Sequence, residues 1–387
     1  MIKSIEINGF KRFEHIQIKD FGRVNLFVGR NNVGKTTLLE AILAFCCGKS
    51  FLPFVHMAIL HRRNDMMSLP SNVVSSAYSF ADMILQSFMM KKNPQGLAFS
   101  FAAEMDDEKH IVEHVFSPGE IFEEFFPKHM GGLGNPEPSI IDVPNIQMQS
   151  GNGFSIQLRR HVIGTWKIMV DNEEVSYQIT VPDIAEEKNQ RPLLLARFND
   201  ILSHRTERDN RRIYSQLSRE NEIDNFVNEL NQSFKNLGIE TIENIPFPDG
   251  SESPISFLMS NGEHVPLYAM GDGVRRWYTV LGGMMSFRNA VHCFEEIDSG
   301  FHHEAQEELS KNLFHYVNVY NNQLFMTTHN IEYMDALLAA AKKHGGDCLT
   351  KEVRIITLRQ DEKGITYRIM DGKEALWAIK TGLELRR

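Results

Sequence analysis

Gly29-Arg30-Asn31-Asn32-Val33-Gly34-Lys35-Thr36-Thr37 fills every fixed position of G-x-x-x-x-G-K-[ST], the phosphate-binding P-loop. Its flanks carry the pattern such a loop needs. Arg23-Val24-Asn25-Leu26-Phe27-Val28 reads as a short buried strand. Thr37 to Phe45 reads as a helix with Leu38, Leu39, Ile42 and Leu43 on one apolar face. Between strand and helix, backbone N–H groups and the positive helix end surround phosphate oxygens, with Asn31, Asn32, Val33, Gly34 and Thr37 completing the cradle. Lys35 reaches the β- and γ-phosphates, and the Thr36 hydroxyl faces Mg²⁺. A ligand-free glycine turn has no need of Lys-Thr at its helix start. The stretch predicts a site for a nucleoside triphosphate.

Upstream, Ser4 to Asn8 and His15 to Ile18 alternate like the strands of a hairpin joined through Gly9-Phe10-Lys11-Arg12-Phe13. Arg12 and Phe13 offer flat faces on which an adenine could stack, and a turn packed on the sheet is an equal alternative. Far downstream, the apolar run Val291-His292-Cys293-Phe294 ends in Glu295-Glu296-Ile297-Asp298. Acids at the C-terminal end of a strand are where Mg²⁺ and the attacking water sit in P-loop enzymes. Glu295 is therefore expected in the Mg²⁺ shell, reaching the ion through water, and Glu296 as the group that polarises the attacking water. For Asp298 and His302, capping and packing are as good an explanation as a direct role. A further strand, Gln323 to Thr327, runs into Thr328-His329-Asn330, where His329 can donate to the γ-phosphate. Between these lies Tyr268-Ala269-Met270-Gly271-Asp272-Gly273-Val274-Arg275-Arg276, just before a helix running to about Arg288. Gly271, Asp272 and Gly273 at that helix start form a second anion site. One triphosphate does not need two such sites in one chain, so this loop is expected to close over the nucleotide of another subunit.

The 387 residues carry a net charge of −9, which argues against a uniformly basic DNA-coating protein. The four cysteines show no C-x-x-C spacing, and Cys46 and Cys47 read as small hydrophobes at the end of the P-loop helix. No secretory signal or membrane-length apolar run is present in the sequence, so a cytoplasmic protein without a membrane partner is expected. Ser76 to Met90 is expected to be an amphipathic helix. Period-two alternation over 97–104, 110–116, 154–163, 165–170 and 175–181 predicts an antiparallel β region, interrupted by the loop Gly131 to Pro138. Residues 183–236 read as polar and mostly helical, and their run Arg205, Arg208, Arg211, Arg212 and Arg219 reads first as a solvated helix face. Short strands are expected at 240–244 and 255–259.

In this order, P-loop, glycine signature before a helix, strand with paired acids, Gly300-Phe301-His302-His303 and Thr327-Thr328-His329, the chain resembles an ATP-binding-cassette (ABC) ATPase head. It is similar to the SMC- and RecF-like branch, and within it to the ATPase part of the OLD family, which includes ATPase subunits of anti-phage systems of the PARIS and Septu kinds. The ending Ala378 to Arg386 is similar to those relatives too. The sequence departs from the pattern where Glu295 replaces the usual Asp, where the signature serine is missing, and in lacking an identifiable Q-loop glutamine. Too few residues follow His329 for a Toprim nuclease domain, and there is no long heptad arm. The resemblance implies an α/β fold, an ABC ATPase head with a P-loop core sheet, an antiparallel β subdomain and helical insertions. One discontinuous domain is expected, with core at about 1–50, 93–182 and 252–387 and insertions at about 51–92 and 183–245. It also implies an ATP- and Mg²⁺-dependent ATPase that forms a homodimer or larger oligomer, with ATP sandwiched between the P-loop of one chain and the signature of the other.

Two roles follow from that resemblance. One is sensor and regulator of a separate effector, a Toprim or HNH nuclease, in anti-phage defence, with nucleic acid or a phage protein as a further partner. The other is a RecF-like DNA-repair ATPase. A metal-dependent nuclease using Glu295, Glu296, Asp298 and His302 is the weakest reading, because the P-loop and His329 already account for the acids.

Overall fold

The computed structural model describes residues 1–50, 97–118, 161–181, 190–200, 207–235, 237–244, 253–345, 347–362 and 364–386. In chain order these form β1 (Ile2–Phe10), β2 (Phe13–Ile18), β3 (Val24–Val28), helix α1 (Lys35–Cys47), β4 (Leu97–Met105), β5 (Glu108–Pro118), β6 (His161–Val170) and β7 (Glu173–Val181). Next come β8 (Ala196–Asn199), α2 (Glu207–Arg219), α3 (Ile223–Ser233), β9 (Ile239–Glu243), β10 (Ser256–Met259) and β11 (His264–Pro266). A helical run follows as α4 (Asp272–Trp277), a π-helical turn (Tyr278–Gly282) and α5 (Gly283–Ser286). The chain closes with β12 (Val291–Phe294), α6 (His303–Val319), β13 (Gln323–Thr327), α7 (Ile331–His344), β14 (Val353–Asp361), β15 (Gly364–Asp371) and α8 (Gly372–Lys380).

The P-loop strand β3 lies inside a sheet of order β15-β14-β3-β13-β12-β8, parallel throughout except for the edge strand β15. A second sheet, β2-β1-β4-β5-β6-β7, is antiparallel, and a small third one is β11-β10-β9. This is the expected α/β class, with a P-loop core sheet and a separate antiparallel sheet. Residues of β3 alternate between its two faces. Phe27 joins the core shared with the antiparallel sheet, while Val24, Leu26 and Val28 join the core on the opposite side. Gln323, almost fully buried, ties the sheets together: its amide donates to the carbonyls of Ile2 (2.8 Å) and Gly22 (2.9 Å) and accepts from the Ile2 N–H.

Helix α1 departs from expectation. Instead of one apolar face it is buried along nearly its whole length, with Cys46 and Cys47 among the buried residues, because it touches β1 and β4 as well as β8, β12 and β13. Its one deep carboxylate, Glu40, is paired with Lys11 at 2.5 Å.

The expected period break between 163 and 165 is a bulge within one strand, β6, whose register shifts between Val162 and Gly164. A side chain at Gly164 would meet the Phe116 ring at 2.5 Å. Within the stretch read as mostly helical, α2 and α3 are helices, but Ala196–Asn199 is the edge strand β8 of the P-loop sheet. Four residues with an arginine in the middle carry no strand signal. Their pairing with β12 and the burial of Arg197 decide the matter. Strands β14 and β15, the hairpin that extends the sheet beyond β3, were not anticipated. The expected helix at 76–90, the loop at 131–138 and residues 154–160 lie outside the described residues. Among the described residues no helix is long and apolar enough to cross a membrane.

Candidate functional site

The P-loop backbone takes conformations that restrict its residues. Gly29 has φ +142, and a Cβ there would meet the Leu358 carbonyl at 2.5 Å. Gly34 has φ +97 and sits on the Phe13 ring, 3.0 Å from where its Cβ would be. Asn32 is left-handed too, at φ 63, a region asparagine tolerates. The Lys35 ammonium is folded back onto its own loop, donating to the carbonyls of Gly29 (3.0 Å) and Arg30 (2.9 Å). Burial holds its pKa down at about 8, against the opposing pull of Glu296 and Glu295. A partly desolvated ammonium at the start of a helix is suited to binding a phosphate anion. Phe13 corrects one expectation. Its ring is 1% exposed and packed beneath Gly34, so only Arg12, half-buried on the same turn, has surface left to offer a base.

Strands β3, β13 and β12 run parallel and adjacent, so their C-terminal ends open on one side of the sheet. The Thr36 hydroxyl donates to Glu295 Oε1, joining the P-loop helix to the end of β12. One hydroxyl and one carboxylate brought together suit Mg²⁺, which takes the rest of its shell from phosphates and water. Glu296 follows in a left-handed conformation, φ 44, with its N–H donating to Thr327 Oγ1 at 2.9 Å. Burial, then the charges of Glu295 and Asp298, push its carboxyl upward, as suits a group that takes a proton. Its Oε1 lies 3.9 Å from Nε2 of His329. Burial and the nearby Lys35 hold His329 below the ordinary histidine value, favouring the neutral ring.

Asp298 has the packing role that was weighed for it, accepting from Thr328 Oγ1 at 2.6 Å. His302 stands at the start of α6, exposed, with no capping bond from its side chain. The turn at Gly271–Gly273 does begin a helix, and its two glycines differ. A Cβ at Gly271 would meet nothing within 4 Å, whereas one at Gly273 would press on the Gly300 carbonyl at 3.3 Å. Asp272 pairs with Arg275, one turn on.

Sequence reasoning missed four residues of this region. Thr327 holds the Glu296 amide, and the Arg386 guanidinium, clamped by Glu384, donates to the His329 carbonyl at 3.0 Å. Arg197 and Arg276 are buried cations behind the strand ends. Only Arg276 had a visible signal, the Arg275-Arg276 pair directly after a glycine turn. Of the arginine run, Arg205 lies outside the described residues, while Arg212 and Arg219 are exposed on α2 as a solvated face requires, Arg212 also lying over the Phe287 ring.

The family AAA_21, described as "AAA domain, putative AbiEii toxin, Type IV TA system", matches residues 24–335, from the P-loop strand to just beyond His329. The chain belongs to this family and is a P-loop ATPase. A curated relative, an "ATP/GTP phosphatase" of Helicobacter pylori, is 21% identical over 96% of both chains. A stretch of 50 residues is 38% identical to the "DNA replication and repair protein RecF" of Clostridioides difficile, covering 13% of this chain and 14% of that one. Among solved structures, the SMC head domain from Thermotoga maritima is similar at 12% identity and a TM-score of 0.41, over 96% of this chain and 99% of that one. An SMC head from Pyrococcus furiosus, bound to the C-terminal domain of ScpA, is similar at 10% identity and a TM-score of 0.46, over 98% of each.

Proposed function

We propose that this ATPase closes in pairs around ATP and Mg²⁺ and acts as the sensor and regulator of a separate effector nuclease in anti-phage defence. The hydrolytic part rests on one observation, the contact of Thr36 with Glu295 beside the buried Lys35. Lys35 binds the β- and γ-phosphates, and Thr36 and Glu295 hold Mg²⁺, which when bound neutralises charge on the phosphate oxygens. Asn31 to Thr37 wrap the phosphates with backbone N–H groups. Glu296 orients a water and draws its proton, and His329 donates to the γ-phosphate from Nε2. Gly271 to Gly273 of a second copy cover the γ-phosphate from the other side.

The name of the Helicobacter relative supports triphosphate hydrolysis, and its full-length match sets it above any short motif. The family description names a putative toxin of a type IV toxin–antitoxin system, and that wording supports a defence setting for the reading. A RecF-like role in DNA repair is the second reading, favoured by the 50-residue likeness to RecF. Three measurements on the purified chain separate them: phosphate release from ATP, mass in solution with and without ATP and Mg²⁺, and co-purification with the products of neighbouring genes. A nuclease or toxin retained on the chain supports the regulator. A chain that binds DNA ends and retains no such partner supports the repair role, and a chain that releases no phosphate from ATP refutes both.

A further inference from the structure

The helix that follows the glycine turn is fastened to the hydrolytic end of β12 by a buried side chain. Arg276, 2% exposed, lies three residues beyond Gly273 on α4. Its Nη1 donates to the carbonyl of Asp200, at the end of β8, and its Nη2 to the carbonyls of Glu295 (2.8 Å) and Glu296 (3.3 Å). The bonds are to main-chain oxygens and not to the side chains of Glu295 and Glu296. Glu296 is thus held at both ends of its residue, its N–H by Thr327 and its C=O by Arg276, in a left-handed conformation that an L-residue adopts only at a cost. A planar guanidinium presents its donors in a fixed fork, so moving the helix moves all three carbonyls. The helix is anchored at a second point, where Arg197 of β8 donates to the Thr279 carbonyl at 2.9 Å through space left by Gly283. Burial lowers the Arg276 pKa to about 10, opposed by Asp200 and the strand-end acids, and leaves it charged at neutral pH.

We infer that Arg276 is a positioning residue that transmits engagement of the Gly271–Gly273 turn by a partner's nucleotide to the backbone of Glu296, so that hydrolysis is licensed by pairing. This rests on the paired reading proposed above, and the experiment keeps the two apart. Three properties are measured across a range of chain concentrations: ATP affinity, ATP-dependent pairing and turnover per chain. In the parent chain, turnover per chain rises as pairs form. If it shows no turnover, or turnover that ignores pairing, the paired reading itself fails.

Arg276→Met is expected to bind ATP and to pair at the same concentrations, within about 3-fold. Its turnover should stay flat on pairing and fall about 10²-fold at saturation, the usual consequence of misplacing a reacting group by about 1 Å. Arg276→Lys, which keeps the charge and part of the reach, should recover a fraction of the response. A Met variant that responds to pairing as the parent does overturns the inference. So does one that loses binding and pairing together, since that marks a residue which merely holds the fold. Should the Met variant not fold, the Lys variant decides: normal turnover on pairing overturns the inference, and retained pairing with a blunted response supports it.

Discussion

Replacing Glu296 by Gln tests the catalytic assignment with little else changed. The amide keeps the length and shape of the carboxylate but cannot accept the proton of an attacking water. The backbone that carries it is held by Thr327 and Arg276 through its own N–H and C=O, so neither bond is touched. The loss should therefore fall on the chemical step alone. General-base assistance contributes about 10²–10⁴-fold, or roughly 2.7–5.5 kcal/mol of barrier at about 1.36 kcal/mol per decade. Nucleotide affinity should change by less than about 3-fold, since Lys35 and the loop amides do the binding. Stability should rise slightly, because Gln removes a negative charge that Glu295 and Asp298 oppose. The assays are steady-state phosphate release at saturating ATP, equilibrium binding of a fluorescent ATP analogue and thermal melting. Hydrolysis at the parental rate refutes the assignment. Binding lost in step with turnover refutes it differently, by moving Glu296 from catalysis to nucleotide holding.

The remaining predictions follow from the same geometry. Lys35→Ala should abolish ATP binding or turnover, and unchanged values for both in a clean preparation would remove the P-loop from the mechanism. Gly271→Asp has open space for its side chain, so it should fold and bind ATP yet block closure over a partner's γ-phosphate; mixed with Lys35→Ala chains it should regain one working site per pair, read as turnover of the mixture. Gly29→Ala should lower the melting temperature, by about 1–3 kcal/mol of overpacking, as its Cβ would meet the Leu358 carbonyl. His114 and His292, both pushed down to about 3 by burial, are neutral in the fold and become charged on unfolding below about pH 6.5. Their contribution is complete above that pH and is lost as the pH falls toward 3. At pH 5 each should therefore have cost about 2 kcal/mol of stability, visible as an acid drop in melting temperature that His292→Phe reduces.

The P-loop, its flanking strand and helix, the acids after β12 and the histidine after β13 could all be read in order along the chain. Each is a local pattern in which a fixed spacing serves a fixed chemistry, and Gly29, Gly34 and Lys35 cannot be exchanged without losing backbone freedom or charge. The antiparallel strands were legible for a similar reason, since period two reports one buried face. Tertiary structure alone decided what depends on neighbours far along the chain. Edge strand β8 exists because β12 offers it a ladder, and α1 is buried on all sides because two sheets enclose it. Phe13 was taken from the candidate base-stacking set by the core beneath Gly34. Arg276, Thr327 and Arg386 act on main-chain carbonyls and amides, and apart from the arginine pair after the glycine turn such bonds leave no signature in residue type or spacing. The sequence by itself named the candidate nucleotide-site groups; the packing of the sheet determined which buried side chains hold those groups in place.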